Sequence, residues 1–210
     1  MKILFYGDSI TDAGRDRESD FQPTSYGNGY VKYVVENLLV NGYKPEDLIN
    51  RGISGNRIVD LYARIKSDCW NLHPDFISIL IGVNDIWHEL EHRNGVELDR
   101  FERVYRMLIE DTKNRLPNVK ILLCEPFVLK GAATVDEGDK WQKFLSVYDY
   151  AKVVKKLADE YGLYYLPLQD KLTAAENAGE TNLLSDGVHP APNGAKLIAG
   201  EWLKKFKEIK

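Results

Sequence analysis

Lys2-Ile3-Leu4-Phe5-Tyr6-Gly7-Asp8-Ser9-Ile10-Thr11-Asp12 opens with an apolar run that stops abruptly at Gly-Asp-Ser. Ile3, Leu4, Phe5 and Tyr6 show no polar alternation, the pattern of a strand buried on both faces of a sheet. Gly7 allows a sharp turn. A serine just beyond the C-terminal end of such a strand stands where open α/β sheets place their chemistry. Two readings of Ser9 follow: a nucleophile, or, with Asp12 as the other candidate, a cap on a following helix.

Outward from this stretch, the same pattern recurs. After a polar loop at 12–28, Tyr30, Val31, Val34, Val35, Leu38 and Leu39 fall at helical spacing within 29–40, which Asn41-Gly42 stops. A short strand at 47–51 leads into the glycine-rich turn 52–56. Ile58, Leu61, Tyr62 and Ile65 mark the next helix, and 75–81 is the strongest strand pattern in the chain. The spacing then predicts a helix over 98–116, a strand over 119–124, a loop over 128–138 and mostly helix over 140–161. A fifth strand is expected at 163–166, helix at 168–178, a polar loop at 179–192 and a last helix at 195–209. Five strands alternating with helices imply right-handed βαβ units and a parallel sheet covered on both faces. The strand order is not readable from this pattern.

The chain has 210 residues, 44% hydrophobic and 29% charged, which suits one domain over 1–210 with a sizeable core. A net charge of −4 lacks the basic footprint of nucleic-acid binding. Lys204, Lys205, Lys207 and Lys210 read as a solvated helix end. Cys69 and Cys124 form no CxxC and are expected to be free and buried. No signal peptide is visible, and no run approaches the ~18 apolar residues of a membrane span. A cytoplasmic location without membrane partners is therefore expected, with the oligomeric state, including a homo-oligomer, left open.

In a parallel sheet all strand C-termini share one edge. Asp8-Ser9, Ser54-Gly55-Asn56 and Asn84-Asp85 follow the first three strands, and Asp186-Gly187-Val188-His189-Pro190 precedes the last helix. These are the ingredients of acyl transfer. A serine hydroxyl needs a base, histidine titrates in the right range, and an acceptor must orient the ring. Asp186, three residues before His189, meets the last need. The Ser9 and Gly55 backbone N–H groups and the Asn84 amide offer three donors to a tetrahedral oxyanion. Each element alone reads as a turn, a cap or a surface loop; their joint appearance along one edge is what points to chemistry.

These four blocks, in this order, resemble those of the GDSL esterases, or SGNH hydrolases, over almost the whole chain. The resemblance implies a flavodoxin-like three-layer α/β/α sandwich on a five-stranded parallel sheet and no metal or organic cofactor. It also implies Ser9 as nucleophile, His189 as base, Asp186 as its partner, and Ser9, Gly55 and Asn84 as the oxyanion hole. Residues 7–15, 27–31 and 82–87 resemble the carbohydrate acetyl-esterase branch, in particular bacterial acetylxylan esterases. A serine esterase that deacetylates xylo-oligosaccharides or related sugars, taking a small-molecule ester, is then expected. The alternatives are a thioesterase or lysophospholipase, and a non-catalytic α/β binding module. Asp8, Asn56 and Trp87 are candidate substrate contacts, although Trp87 reads equally as a core aromatic. Arg15 suits either substrate or a structural ion pair.

His88-Glu89-Leu90-Glu91-His92 matches the HExxH zinc motif and runs on to Gly95. Leu98 stands at the third-ligand position of the longer motif, no methionine follows Met107, and 86–93 is expected on a surface loop. A zinc enzyme using His88, Glu89 and His92 is therefore disfavoured, with His88 placed near the pocket mouth or on an exposed helix face.

Overall fold

The strands of the computed structural model, which describes residues 1–136 and 138–210, are β1 (Ile3–Gly7), β2 (Leu48–Gly52), β3 (Phe76–Leu80), β4 (Lys120–Cys124) and β5 (Tyr164–Leu166). All pair in parallel, in the order β2-β1-β3-β4-β5. β1 and β3 are buried at every position, as their unbroken apolar runs require. The helices are α1 (Ser9–Asp12), α2 (Tyr30–Val40), α3 (Ile58–Asp68), α4 (Val83–His92), α5 (Leu98–Arg115), α6 (Lys140–Phe144), α7 (Val147–Tyr161), α8 (Gln169–Asn177) and α9 (Pro192–Ile209). α2 packs with α9, while α5 packs against both α3 and α7, giving the three expected α/β/α layers. Position 137 of the loop expected at 128–138 lies outside the described residues.

One local expectation is corrected and another is refined. Residues 86–93 do not form a surface loop: most of the segment belongs to α4, whose Val83, Ile86, Trp87 and Leu90 recur at i, i+3, i+4 and i+7 and turn one face inward. The helix expected at 140–161 divides at Leu145–Ser146 into α6 and α7.

The chain goes from β1 out to β2 on one side and then returns past β1 to β3 on the other. The crevice at this reversal is where open α/β sheets bind ligands. Gly7 is needed there for room rather than for an unusual φ. A Cβ on it would stand 2.4 Å from the Leu80 carbonyl oxygen and 2.5 Å from Thr11 Oγ1.

α9 covers β1 and β3 with Trp202, which is fully buried. Its ring stacks on Phe206 at 4.8 Å and meets Phe5 at 5.2 Å and Phe76 at 5.9 Å, while its N–H donates to Ser78 Oγ at 2.9 Å. Cys69 and Cys124 are free and buried, as expected. Among the described residues no helix is long and apolar enough to cross a membrane. Trp202→Ala is expected to destabilise the fold by about 3–5 kcal/mol in urea unfolding, through the cavity it opens. Trp202→Phe, which keeps most of the packing but strips Ser78 of its donor, is expected to destabilise by about 1–3 kcal/mol.

Candidate active site

Ser9 is the first residue of α1, and the cap of that turn is Asp8, not Ser9 or Asp12: Asp8 Oδ1 accepts the Ile10 N–H at 2.9 Å. The Ser9 hydroxyl is thereby free, and it lies 2.9 Å from His189 Nε2. On the far side of the imidazole, Nδ1 is 2.7 Å from Asp186 Oδ2. A carboxylate can only accept, so Nδ1 carries the proton and Nε2 presents its lone pair to the Ser9 O–H.

The turn that supplies Asp186 and His189 is built for this. Gly187 has φ +99°, a conformation that L side chains rarely adopt. The tight turn lets Asp186 Oδ1 accept both the Val188 N–H at 2.9 Å and the His189 N–H at 2.8 Å. The loop after β4 fastens it from outside, with Leu129 N–H on the Gly187 carbonyl and Ala133 N–H on that of Asp186, both at 2.9 Å. Burial pushes the Asp186 carboxyl up, but the His189 and Val188 N–H groups outweigh it and hold the group below the usual carboxylate range.

Ser9, Ser54, Gly55, Asn84, Trp87, His88, Glu91, His92 and His189 line one open cavity of about 280 Å³. Of the three oxyanion candidates, the Ser9 and Gly55 N–H groups have no protein acceptor among the described residues. The Asn84 amide is oriented by one bond, Nδ2 to the Asn56 carbonyl at 3.1 Å, which leaves its second N–H available. A cavity of about 410 Å³ beyond the other side of α4 has neither Ser9 nor His189 on its wall.

Two candidate substrate contacts are corrected. Asp8 is fully buried and cannot reach a ligand; burial pushes its carboxyl up to about 7, against the Ile10 N–H and nearby His189. Asn56 is absent from the cavity wall, and its Oδ1 accepts from Arg64 Nε at 2.7 Å. Trp87 does stand in the wall. Its ring lies 5.7 Å from that of His189 and 5.8 Å from that of Phe144, so it is part wall and part core. Among the described residues Arg15 forms no ion pair; its Nε donates to the Gly52 carbonyl at 2.9 Å.

His88 and His92 share a face of α4 with ring centroids 5.8 Å apart, and both border the cavity. Burial, with Arg57 and His92 nearby, pushes the His88 imidazole down. Glu89 is turned away, accepting the Gly95 N–H at 3.1 Å. Among the described residues no three His, Cys, Asp or Glu side chains are grouped to hold a metal.

Three further polar groups that the sequence did not single out for this purpose support the site from behind. The Asp12 carboxylate accepts Ser54 N–H at 2.9 Å and Ser54 Oγ–H at 3.1 Å, and also pairs with Arg17. Asp85, 1% exposed, accepts the Ile58 N–H at 3.0 Å and so ties α4 to the start of α3; burial pushes its carboxyl well above the usual range. Arg64, on α3, reaches the ends of two strands. Asp12 and Asp85 stood within or beside visible motifs; Arg64 did not.

Residues 5–197 match the model of the GDSL-like lipase/acylhydrolase family. The acetylxylan esterase of Geobacillus stearothermophilus is 36% identical over 98% of this chain and 93% of its own. A protein described as a GDSL-like lipase from Parabacteroides merdae superposes with a TM-score of 0.87 at 38% identity, covering 98% of this chain and 94% of that one. The Geobacillus acetylxylan esterase Axe2 superposes with a TM-score of 0.79 at 35% identity, covering 97% and 93%. Forms of Axe2 described as catalytic mutants have a serine, an aspartate or a histidine changed to alanine. With the match spanning nearly every block described above, the chain belongs to the GDSL-like lipase/acylhydrolase family and is a carboxylic-ester hydrolase.

Proposed function

We propose that Ser9, His189 and Asp186 form the catalytic relay of an esterase that removes acetyl groups from acetylated xylo-oligosaccharides or related sugars. The observation that carries the mechanism is the continuous hydrogen-bonded chain from Ser9 Oγ through His189 to Asp186, open to the cavity at its serine end. Ser9 Oγ attacks the ester carbonyl carbon as its proton passes to His189 Nε2. Negative charge on the carbonyl oxygen meets the Ser9 and Gly55 N–H groups and the free N–H of Asn84. The imidazolium then protonates the departing sugar oxygen, leaving acetyl-Ser9. Water, deprotonated by His189, attacks this ester and releases acetate and the free serine. Asp186 holds the ring and balances its charge throughout.

The substrate assignment rests on the size and chemistry of the cavity together with the 36% identical acetylxylan esterase. About 280 Å³ suits a short acyl group with part of one sugar. Ser54, His88, Glu91 and His92 supply polar contacts for hydroxyls on the rim, and Trp87 supplies an apolar wall beside His189.

Ser9→Ala is expected to lower kcat on an aryl acetate by about 10⁴-fold or more while leaving the fold intact. Retained turnover would exclude this nucleophile. Acetate release from acetylated xylo-oligosaccharides should exceed release of longer acyl groups from matched esters; rising activity with chain length would instead indicate a lipase or thioesterase. The pH profile follows from the protonation states. His189 works as a base only when neutral, so kcat/KM should fall toward acid. Asp186, held below the usual carboxylate range, stays ionised across that limb. A profile flat from about pH 5 to 8 would rule out a histidine base.

A further inference from the structure

The guanidinium of Arg64 lies outside the cavity and touches no group assigned to the reaction, yet it contacts the supports of every proposed oxyanion donor. Its side chain is 14% exposed. Nε donates to Asn56 Oδ1 at 2.7 Å, Nη1 to the Arg51 carbonyl at 2.9 Å, and Nη2 to the Gly7 carbonyl at 3.1 Å. Nη1 also meets Asp68 Oδ2 at 2.8 Å, and the group lies over the Tyr6 ring, 4.4 Å from its centroid.

These partners are the roots of the oxyanion site. Gly7 ends β1 two residues before Ser9. Arg51 lies near the end of β2, just ahead of the turn that carries Gly55. Asn56 closes that turn, with its N–H on the Ile53 carbonyl at 3.2 Å, and its own carbonyl orients Asn84. The Gly7 carbonyl also accepts the Ile53 N–H at 3.1 Å, so Arg64 adds a second donor where β1 already meets the Gly55 turn. One planar fork with five N–H groups thereby joins the ends of β1 and β2 and the Asn56 side chain.

We propose that Arg64 is a positioning residue for the oxyanion hole, fixing the Ser9, Gly55 and Asn84 donors relative to one another. The proposal rests on the catalytic reading above. It separates positioning from mere stability because an oxyanion hole acts on the transition state more than on the bound ester. Lysine cannot take the role, since a single ammonium does not span the three acceptors.

The test compares Arg64→Lys, Arg64→Ala and Asn56→Ala with wild type on one acetyl ester, alongside thermal unfolding and inhibition by an alkyl boronic acid, whose tetrahedral adduct mimics the oxyanion. In the folded variants kcat should fall, by up to about a hundredfold, with KM little changed. Boronate affinity should fall in parallel with kcat/KM, and the acid limb of the pH profile should not move. A kcat within about twofold of wild type in the folded variants overturns the proposal, even if Tm drops. Should the Arg64 variants fail to fold, Asn56→Ala carries the test, because it severs only the arm to the Gly55 turn. Retained turnover in Ser9→Ala would sink the catalytic reading itself. An inactive Ser9→Ala beside fully active Arg64 and Asn56 variants would sink only the role of Arg64.

Discussion

The reversal of direction at β1 is the constraint on which the rest of the molecule depends. Because the chain leaves β1 toward β2 and comes back to β3, the segments after β1 and β3 diverge to opposite sides and leave a gap between them. Ser9 enters that gap from β1 and Asn84 from β3, while the turn after β2 brings Gly55 in from the flank. Right-handed crossovers put all three at one edge without any specific contact having to pull them there. The turn carrying Asp186 and His189 needs more help, since it follows no strand; it is pinned by backbone bonds to the loop after β4.

Around this gap the buried polar groups divide into those that react and those that hold. Asp186 is half-buried, ionised and paired with the ring it orients. Asp8 and Asp85 are wholly buried carboxyls, each accepting one backbone N–H and each pushed up by burial. Their similarity in sequence to Asp186 conceals an opposite physical state. In Asp8 and Asp85 burial outweighs the neighbouring N–H groups and the nearby His189 or Arg57, whereas in Asp186 the N–H groups of His189 and Val188 outweigh burial.

Much of this was legible in the chain. β1 and β3 were the plainest strands, because burial at every position leaves a nearly unbroken apolar run, whereas β2 carries Asn50 and Arg51 and β5 is exposed at Tyr164. The joint occurrence of Ser9, Gly55, Asn84 and Asp186-x-x-His189 marked the site because all four blocks sit at turns next to the strands or the last helix. α4 was harder. Its charged residues and histidines masked an apolar stripe at Val83, Ile86, Trp87 and Leu90, and the HExxH match drew attention to the wrong face. Asp8 and Asn56 looked like ligand contacts because adjacency to a motif does not show which way a side chain points. Arg64 was invisible for a different reason: its acceptor on β1 is 57 residues away, and nothing local distinguishes it from any other helical arginine. Strand order likewise belongs to long-range pairing and left no local trace.

Ser9 and His189 are separated by 180 residues yet share a hydrogen bond. β1 is an interior strand of the sheet, between β2 and β3, and α9 supplies the Trp202 that packs on its Phe5. On the catalytic reading proposed above, the serine has no base until the fold brings these two distant segments together. Ester turnover would then report that they have closed on one another.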